Sequence, residues 1–166
     1  FLKAVIKSYT IDKGYNRNFI FFHLKDSIIF AINLIPMRVI EIAKIIDSWM
    51  PTSIEEDFDN VGLIIGDPES KITSILVTLD TTEDVVEEAI NKGCNLIVSY
   101  HPIIFNGLKQ ITNDSYVQKS VIKAVKNNIS VYAIHTSLDN HPKGISYLLS
   151  DLIGLNNISI LLPLSL

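Results

Sequence analysis

The sequence predicts an α/β fold with a mostly parallel or mixed sheet flanked by helices. From position 37 onward, short apolar runs alternate with amphipathic segments of helical length. Glycine, proline and asparagine separate these segments, as they do at turns. The chain has 166 residues and is 48% hydrophobic, which is enough for one domain with its own core. Strands that alternate with helices in this way favour right-handed crossovers and parallel pairing.

The first predicted elements lie between positions 38 and 80. The segment "RVIEIAKIIDSWM" is a predicted helix, with a shared apolar face formed by Val39, Ala43, Ile46 and Met50. The run "NVGLIIG" is a predicted short strand, and the turn residues "GDP" end it. A second strand, "SILVTLD", follows.

The next segment, "TTEDVVEEAINKG", is a predicted helix with recognisable ends. Thr81 is the expected cap, acidic residues occupy the first turn, and Gly93 ends the helix. "NLIVSYH" is the third strand and "ISVYAIH" the fourth, with the helix "SYVQKSVIKAVKNN" between them. The predicted inner face of that helix consists of Val117, Val121, Ile122 and Val125. A last helix, "GISYLLSDLIG", closes at Gly154.

Composition narrows the functional classes. The net charge of −4 offers no basic face for a phosphate backbone, so we expect no nucleic-acid partner. Cys94 is the one cysteine, which excludes an internal disulfide and a thiolate metal cluster and favours the cytoplasm. No segment has the length and apolar character of a membrane span, and we expect no membrane association.

Residues 1–36 differ from the rest of the chain. They include "YTIDKGYNRNFIFFHLKD", which has no sustained helical or strand period. We interpret them as a leader outside the natural domain, with the natural start at Met37. The alternative is a genuine N-terminal arm.

Four polar side chains follow three of the predicted strands. Asp80, His101 and His135 stand at strand ends, and Asp139 lies in the loop after the last of them. Parallel strands end at one edge of a sheet, where α/β proteins place ligands, so these side chains should gather there. Pro102 holds the residue before it in an extended conformation. Imidazole and carboxylate together suit zinc, iron or manganese.

Each of these residues also has a structural explanation. A histidine at a strand end can simply reach water, Asp80 can assist the cap of the next helix, and Asp139 can be a turn residue. Tyr100, beside His101, is either a hydrogen-bonding neighbour or a packed aromatic. Only their convergence supports a metal site.

Several longer motifs occur together and in order: "EDFDNVGLIIGDP", "ILVTLDTTEDVVEEAINKGCNLIVSYHPIIF", "LKQIT", "AVKNNISVYAIHTSLDN" and "GLNNISILLP". Over 37–163 they resemble the N-terminal half of the Nif-three-like family, also called GTP cyclohydrolase 1 type 2 homologues. The resemblance implies an α/β lobe that is one of two similar lobes, and toroidal homohexamers. It also implies a cavity that holds two divalent metal ions.

The resemblance assigns roles to individual residues. It makes His101 and Asp139 metal ligands and places His135, of the "HTSLD" motif, beside the site. Asp59 and Asn60 belong to the family's Asp-Asn-Val-Gly segment.

Two departures from the family pattern imply an incomplete metal site. Tyr100 stands where many members have the first of two adjacent histidines. The remaining ligands of the family, a histidine and a glutamate, belong to a C-terminal lobe, and we expect residues 37–166 to be an N-terminal lobe without it.

The resemblance leaves three functional hypotheses. The first is a divalent-metal-binding protein that acts as a metal-dependent hydrolase on a nucleotide. The second is a non-catalytic scaffold that binds a metal or a partner. The third is an inactive fragment.

Overall fold

The computed structural model of the chain describes residues 19–24, 27–32 and 37–160. Its strands are β1 (Phe19–Leu24), β2 (Ser27–Ile32), β3 (Gly62–Ile65), β4 (Ile75–Thr78), β5 (Leu96–Ser99) and β6 (Ser130–Ala133). Its helices are α1 (Val39–Trp49), α2 (Glu83–Asn91), α3 (Tyr116–Lys126), α4 (His135–Asp139) and α5 (Ile145–Leu152). A 3-10 turn at Thr52–Ile54 follows α1.

The strands form one mixed sheet in the order β1-β2-β4-β5-β6-β3. The three central strands β4, β5 and β6 are parallel and in register, with Leu76 opposite Ile97 and Ile97 opposite Val131. Strand β3 is antiparallel to β6, and β2 is antiparallel to both β1 and β4. The predicted α/β class is therefore confirmed, and the sheet is of the mixed kind.

Two strands lie in the segment for which the sequence suggested no strand period. β1 and β2 pair with each other, and β2 extends the sheet at β4. The sequence pattern therefore did not reveal these two strands. That the segment is a leader outside the natural domain stays a prediction.

Both faces of the central sheet are buried. Leu76, Ile97 and Val131 face helices α2 and α3, whose residues Val86 and Ala124 complete that half of the core. On the other face, the residues that pack with α1 are Ile75, Leu96, Val98 and Tyr132. Two-sided burial explains why these strands appear in the sequence as continuous apolar runs. It also gives the ends of the three strands a rigid base.

Two helices differ in detail from the sequence prediction. Thr82 caps α2 by accepting a hydrogen bond from the backbone N–H of Val85, whereas Thr81 is buried. On α3, Val125 is 59% exposed, and Ser120 and Ala124 fill the inner face instead. Small residues suit that position because α3 packs closely against the sheet and α2.

Near the C-terminus, α5 confirms the predicted helix but has no buried residue, and Leu152 is among its exposed side chains. Of the helices within the described ranges, none is both long and apolar enough to cross a membrane.

Candidate functional site

Three aromatic rings meet where β5 and β6 end. The ring centre of Tyr100 lies 4.8 Å from that of His101 and 5.3 Å from that of His135, and the two imidazole centres are 5.5 Å apart. The parallel register places Ser99 beside Ala133, and the backbone N–H of His135 donates to the carbonyl of Tyr100 at 3.0 Å. Pairing of the strands thus continues into the loops and brings the rings together.

His101 pairs with Asp80 from the neighbouring strand end. Its Nδ1 is 2.8 Å from an Asp80 carboxylate oxygen, and its backbone N–H donates to the carbonyl of Leu79 at 2.9 Å. The two side chains are 45% and 57% exposed, so water screens this pair. Asp80 therefore contacts the predicted site residue rather than capping α2.

His135 pairs with Asp59, whose side chain is inaccessible to solvent. The Nδ1 atom is 2.9 Å from both carboxylate oxygens. The backbone N–H groups of Thr136 and Asn60 donate to the same carboxylate at 3.0 and 2.7 Å, and the Thr136 hydroxyl donates to it as well. Because β3 is antiparallel to β6, the residues before β3 reach the edge at which β6 ends.

These donors determine the electrostatics of Asp59. Burial alone would raise the pKa of this carboxyl group, but the hydrogen bonds from Thr136, His135 and Asn60 outweigh burial and lower the pKa below its ordinary value of 3.8. Asp59 is thus a carboxylate at neutral pH and can only accept hydrogen bonds.

Tyr100 forms a hydrogen bond with Asp139, the second of the two predicted metal ligands. Its hydroxyl donates to the carboxylate, with the two oxygens at 2.7 and 2.8 Å. Burial, the hydrogen bond to Asp139 and the charge of that carboxylate raise the pKa of Tyr100 to about 12. Tyr100 is therefore both the hydrogen-bonding neighbour and the packed aromatic that the sequence left as alternatives.

Asp139 is the last residue of α4. The prediction that it lies in a loop is therefore wrong. The segment "HTSLD" forms a short helix that begins at His135, which puts His135 and Asp139 four residues apart and on the same side. The helix escaped prediction because it is little more than one turn long and has no apolar period.

Two further residues of the site were not singled out in the sequence. Thr136 lies in the quoted "HTSLD" motif and anchors Asp59. Phe105 packs its ring against His135, with the centres 6.2 Å apart at 86°. The side-chain amide of Asn60 donates to the carbonyl of Ile104, the residue before Phe105, at 2.5 Å.

The donor chemistry at this edge suits a divalent metal, since it combines imidazole nitrogens with carboxylate oxygens. Within the ranges that the structure describes, however, no three histidine, cysteine, aspartate or glutamate side chains are grouped so that they could hold an ion. Assignment of His101 and Asp139 as ligands stays a prediction.

Curated relatives match three quarters of this chain. A "GTP cyclohydrolase 1 type 2 homolog" of Clostridium acetobutylicum is 43% identical over 125 residues, which are 75% of this chain and 47% of the relative. One from Staphylococcus epidermidis is 45% identical over 126 residues, or 75% of this chain and 34% of the relative. The chain thus spans less than half the length of these relatives.

The fold has a counterpart among solved structures. A Bacillus cereus protein described as related to NIF3 superposes with a TM-score of 0.74 at 38% identity, over 78% of this chain and 36% of that one. The model of one protein family matches residues 37–164. The chain therefore belongs to the DUF34/NIF3 (NGG1p interacting factor 3) family, as its sequence motifs indicated.

Proposed function

We propose that this chain is a divalent-metal-binding lobe of the NIF3 family, with the ion at the edge where β4, β5 and β6 end. The observation that carries the proposal is the meeting of two imidazoles, each with its Nδ1 held by a carboxylate at 2.8 to 2.9 Å. A carboxylate on one ring nitrogen commonly orients a histidine whose other nitrogen binds a metal.

His101 and Asp139 are the proposed ligands from this chain, and zinc, iron or manganese is the proposed ion. Held by these residues, such an ion would supply Lewis acidity that lowers the pKa of a bound water. Tyr100 keeps the Asp139 carboxylate in place through its hydroxyl. Asp80 contacts the His101 ring at Nδ1, which supports an orientation that leaves Nε2 for the ion.

The proposed reaction is metal-dependent hydrolysis of a nucleotide. Its support is the name that the curated relatives carry, GTP cyclohydrolase 1 type 2 homolog. We further propose a cytoplasmic location, which the single cysteine favours, and a homo-oligomer, which the family resemblance implies.

A non-catalytic metal-binding scaffold is the second candidate. It is favoured by the finding that the described part of the chain offers no cluster of three or more metal-binding side chains. An ion with few protein ligands binds weakly and is poorly fixed for catalysis. Incubation of the protein with GTP and manganese, with and without a chelator, separates the two: product that disappears with the chelator indicates the hydrolase.

Isothermal titration with zinc tests the metal site. His101→Ala and Asp139→Asn should each lower the affinity at least about tenfold, because each removes a ligand from a small set. His141→Ala is the matched control: the Nδ1 of His141 accepts from the backbone of Lys143 at 3.1 Å, outside the ring cluster. If both site variants bind zinc like the parent protein, the metal assignment is wrong.

A further inference from the structure

Two phenylalanine side chains lie exposed beside the imidazole cluster. Phe58 is 65% exposed and Phe105 is 44% exposed, and their ring centres are 6.4 Å apart at an angle of 55°. Phe105 also contacts His135, with the ring centres 6.2 Å apart at 86°. We call Phe58 and Phe105 the aromatic pair.

The backbone beside each member of the aromatic pair is held by hydrogen bonds. Phe58 precedes Asp59, whose carboxylate accepts from two backbone N–H groups. Phe105 follows Ile104, whose carbonyl accepts from the side-chain amide of Asn60. Rings on a fixed backbone lose little conformational freedom when a ligand binds to them. The pair is therefore a preorganised apolar surface rather than two unrelated exposed side chains.

The geometry of the aromatic pair determines how a ligand can bind to it. A ring inserted between two parallel rings needs their centres about 7 Å apart, which is two van der Waals separations. The rings of the pair are closer than that and inclined to each other, so they cannot enclose a ligand between them. A planar ligand can instead stack on the solvent-facing side of Phe105 and meet Phe58 at its edge.

The charge beside the aromatic pair favours one kind of planar ligand. Asp57 precedes Phe58 and is exposed, and residues 55–59 have the acidic sequence "EEDFD". The Asp57 carboxylate disfavours a phosphate group at this place but can accept hydrogen bonds from amino and ring N–H groups. Nucleobases carry such donors on the edge of a planar ring.

The position of the aromatic pair suits the proposed reaction. A cyclohydrolase opens a ring of the base, so the base itself has to reach the edge at which β4, β5 and β6 end. A base stacked on Phe105 lies beside His135, because these two side chains are in contact. Its ring is thus next to the imidazole cluster.

We propose that the aromatic pair is the binding subsite for the heteroaromatic base of a nucleotide, with the base stacked on Phe105. Phe58 contacts the edge of the base, and Asp57 accepts from its amino or N–H groups. This inference rests on the proposed action on a nucleotide and names the residues that recognise its base.

Titration with guanosine monophosphate in the presence of a chelator, followed by NMR, tests the subsite without a metal. We expect Phe105→Leu to lower the affinity about fivefold or more, because base stacking is lost while apolar bulk remains. Phe105→Trp keeps a stacking surface and should bind at least as tightly as the parent protein. Ile111→Ala is the matched control, since Ile111 is 61% exposed in the same β5–α3 loop but has no ring.

Ribose 5-phosphate is the matched control ligand, because it lacks the base. The subsite is overturned if the parent protein binds guanosine monophosphate no better than ribose 5-phosphate. It is also overturned if Phe105→Leu binds like the parent, or if Phe105→Leu and Ile111→Ala lose affinity equally. A changed oligomeric state of Phe58→Leu in light scattering would identify the aromatic pair as a contact between copies of the chain, which likewise overturns the subsite.

The hydrolysis assay with GTP and manganese separates this inference from the proposed function. Base binding in the presence of the chelator, without hydrolysis when manganese is supplied, supports the subsite and overturns the hydrolase. Hydrolysis with the same KM in the parent protein and in Phe105→Leu supports the hydrolase and overturns the subsite.

Discussion

The two aspartate–histidine pairs of this site have the same chemistry and almost the same length, yet their surroundings differ. Asp59 and His135 meet at 2.9 Å with side chains 0% and 19% exposed. Asp80 and His101 meet at 2.8 Å with side chains 57% and 45% exposed. Water and salt screen the second pair but hardly reach the first. A short distance therefore does not by itself indicate how strongly a pair stabilises the fold.

The pairs also differ in what they connect. Asp80 and His101 extend from β4 and β5, whose backbone pairing already fixes their positions. Asp59 lies 76 residues before His135 and joins the segment leading into β3 to the start of α4. It does so with four donors, among them the backbone N–H of Thr136. The Asp59–His135 pair thus connects two distant parts of the chain, whereas the Asp80–His101 pair orients the His101 ring.

The largest expected effect is that of Asp59→Ala. This change leaves the Thr136 hydroxyl, two backbone N–H groups and the His135 ring without their acceptor in a buried place. We expect a loss of about 1–3 kcal/mol in the free energy of unfolding, which is the usual cost of leaving buried hydrogen-bond donors without an acceptor. Urea denaturation of the metal-free protein measures it, and a loss below about 1 kcal/mol would contradict the assigned role.

The second-largest expected effect is on the pH dependence of the free energy of unfolding, to which the Asp59–His135 pair contributes. Hydrogen bonds lower the pKa of Asp59 below 3.8 despite its burial. A depressed folded-state pKa stabilises the fold above the ordinary value and loses that contribution as pH falls through the folded value. Below about pH 4, unfolding free energies of the metal-free parent should therefore fall more steeply than those of Asp59→Asn. Parallel curves from about pH 6 to about pH 2 would disprove this.

The sequence predicted which strand ends meet but not which side chains pair there. Asp80, His101 and His135 follow buried apolar runs, and parallel pairing of those runs requires their ends to share an edge. Local patterns therefore sufficed for the central strands and for the edge on which the site lies.

The partners were not predictable because they depend on the paths of loops. The Asp59–His135 contact requires β3 to run antiparallel to β6, and no local pattern specifies that direction. The Tyr100–Asp139 hydrogen bond requires the one-turn helix α4, which has no apolar period. On α3, the recurrence of valine at every fourth position suggested Val125 as a core residue, but Ala124 is the residue that is buried against the sheet.

The smallest expected effect is that of Asp80→Ala, and it completes the comparison. Solvent surrounds both partners, and the backbone N–H of His101 remains bonded to Leu79. We expect the free energy of unfolding to change by no more than about 0.5 kcal/mol in the same urea experiment. His101→Ala should then be made both in the parent protein and in Asp80→Ala. The coupling energy between the two substitutions should lie within about 0.5 kcal/mol of zero, because an exposed pair contributes little beyond its separate residues. If Asp80→Ala instead cost as much as Asp59→Ala, burial would not be what distinguishes the two pairs.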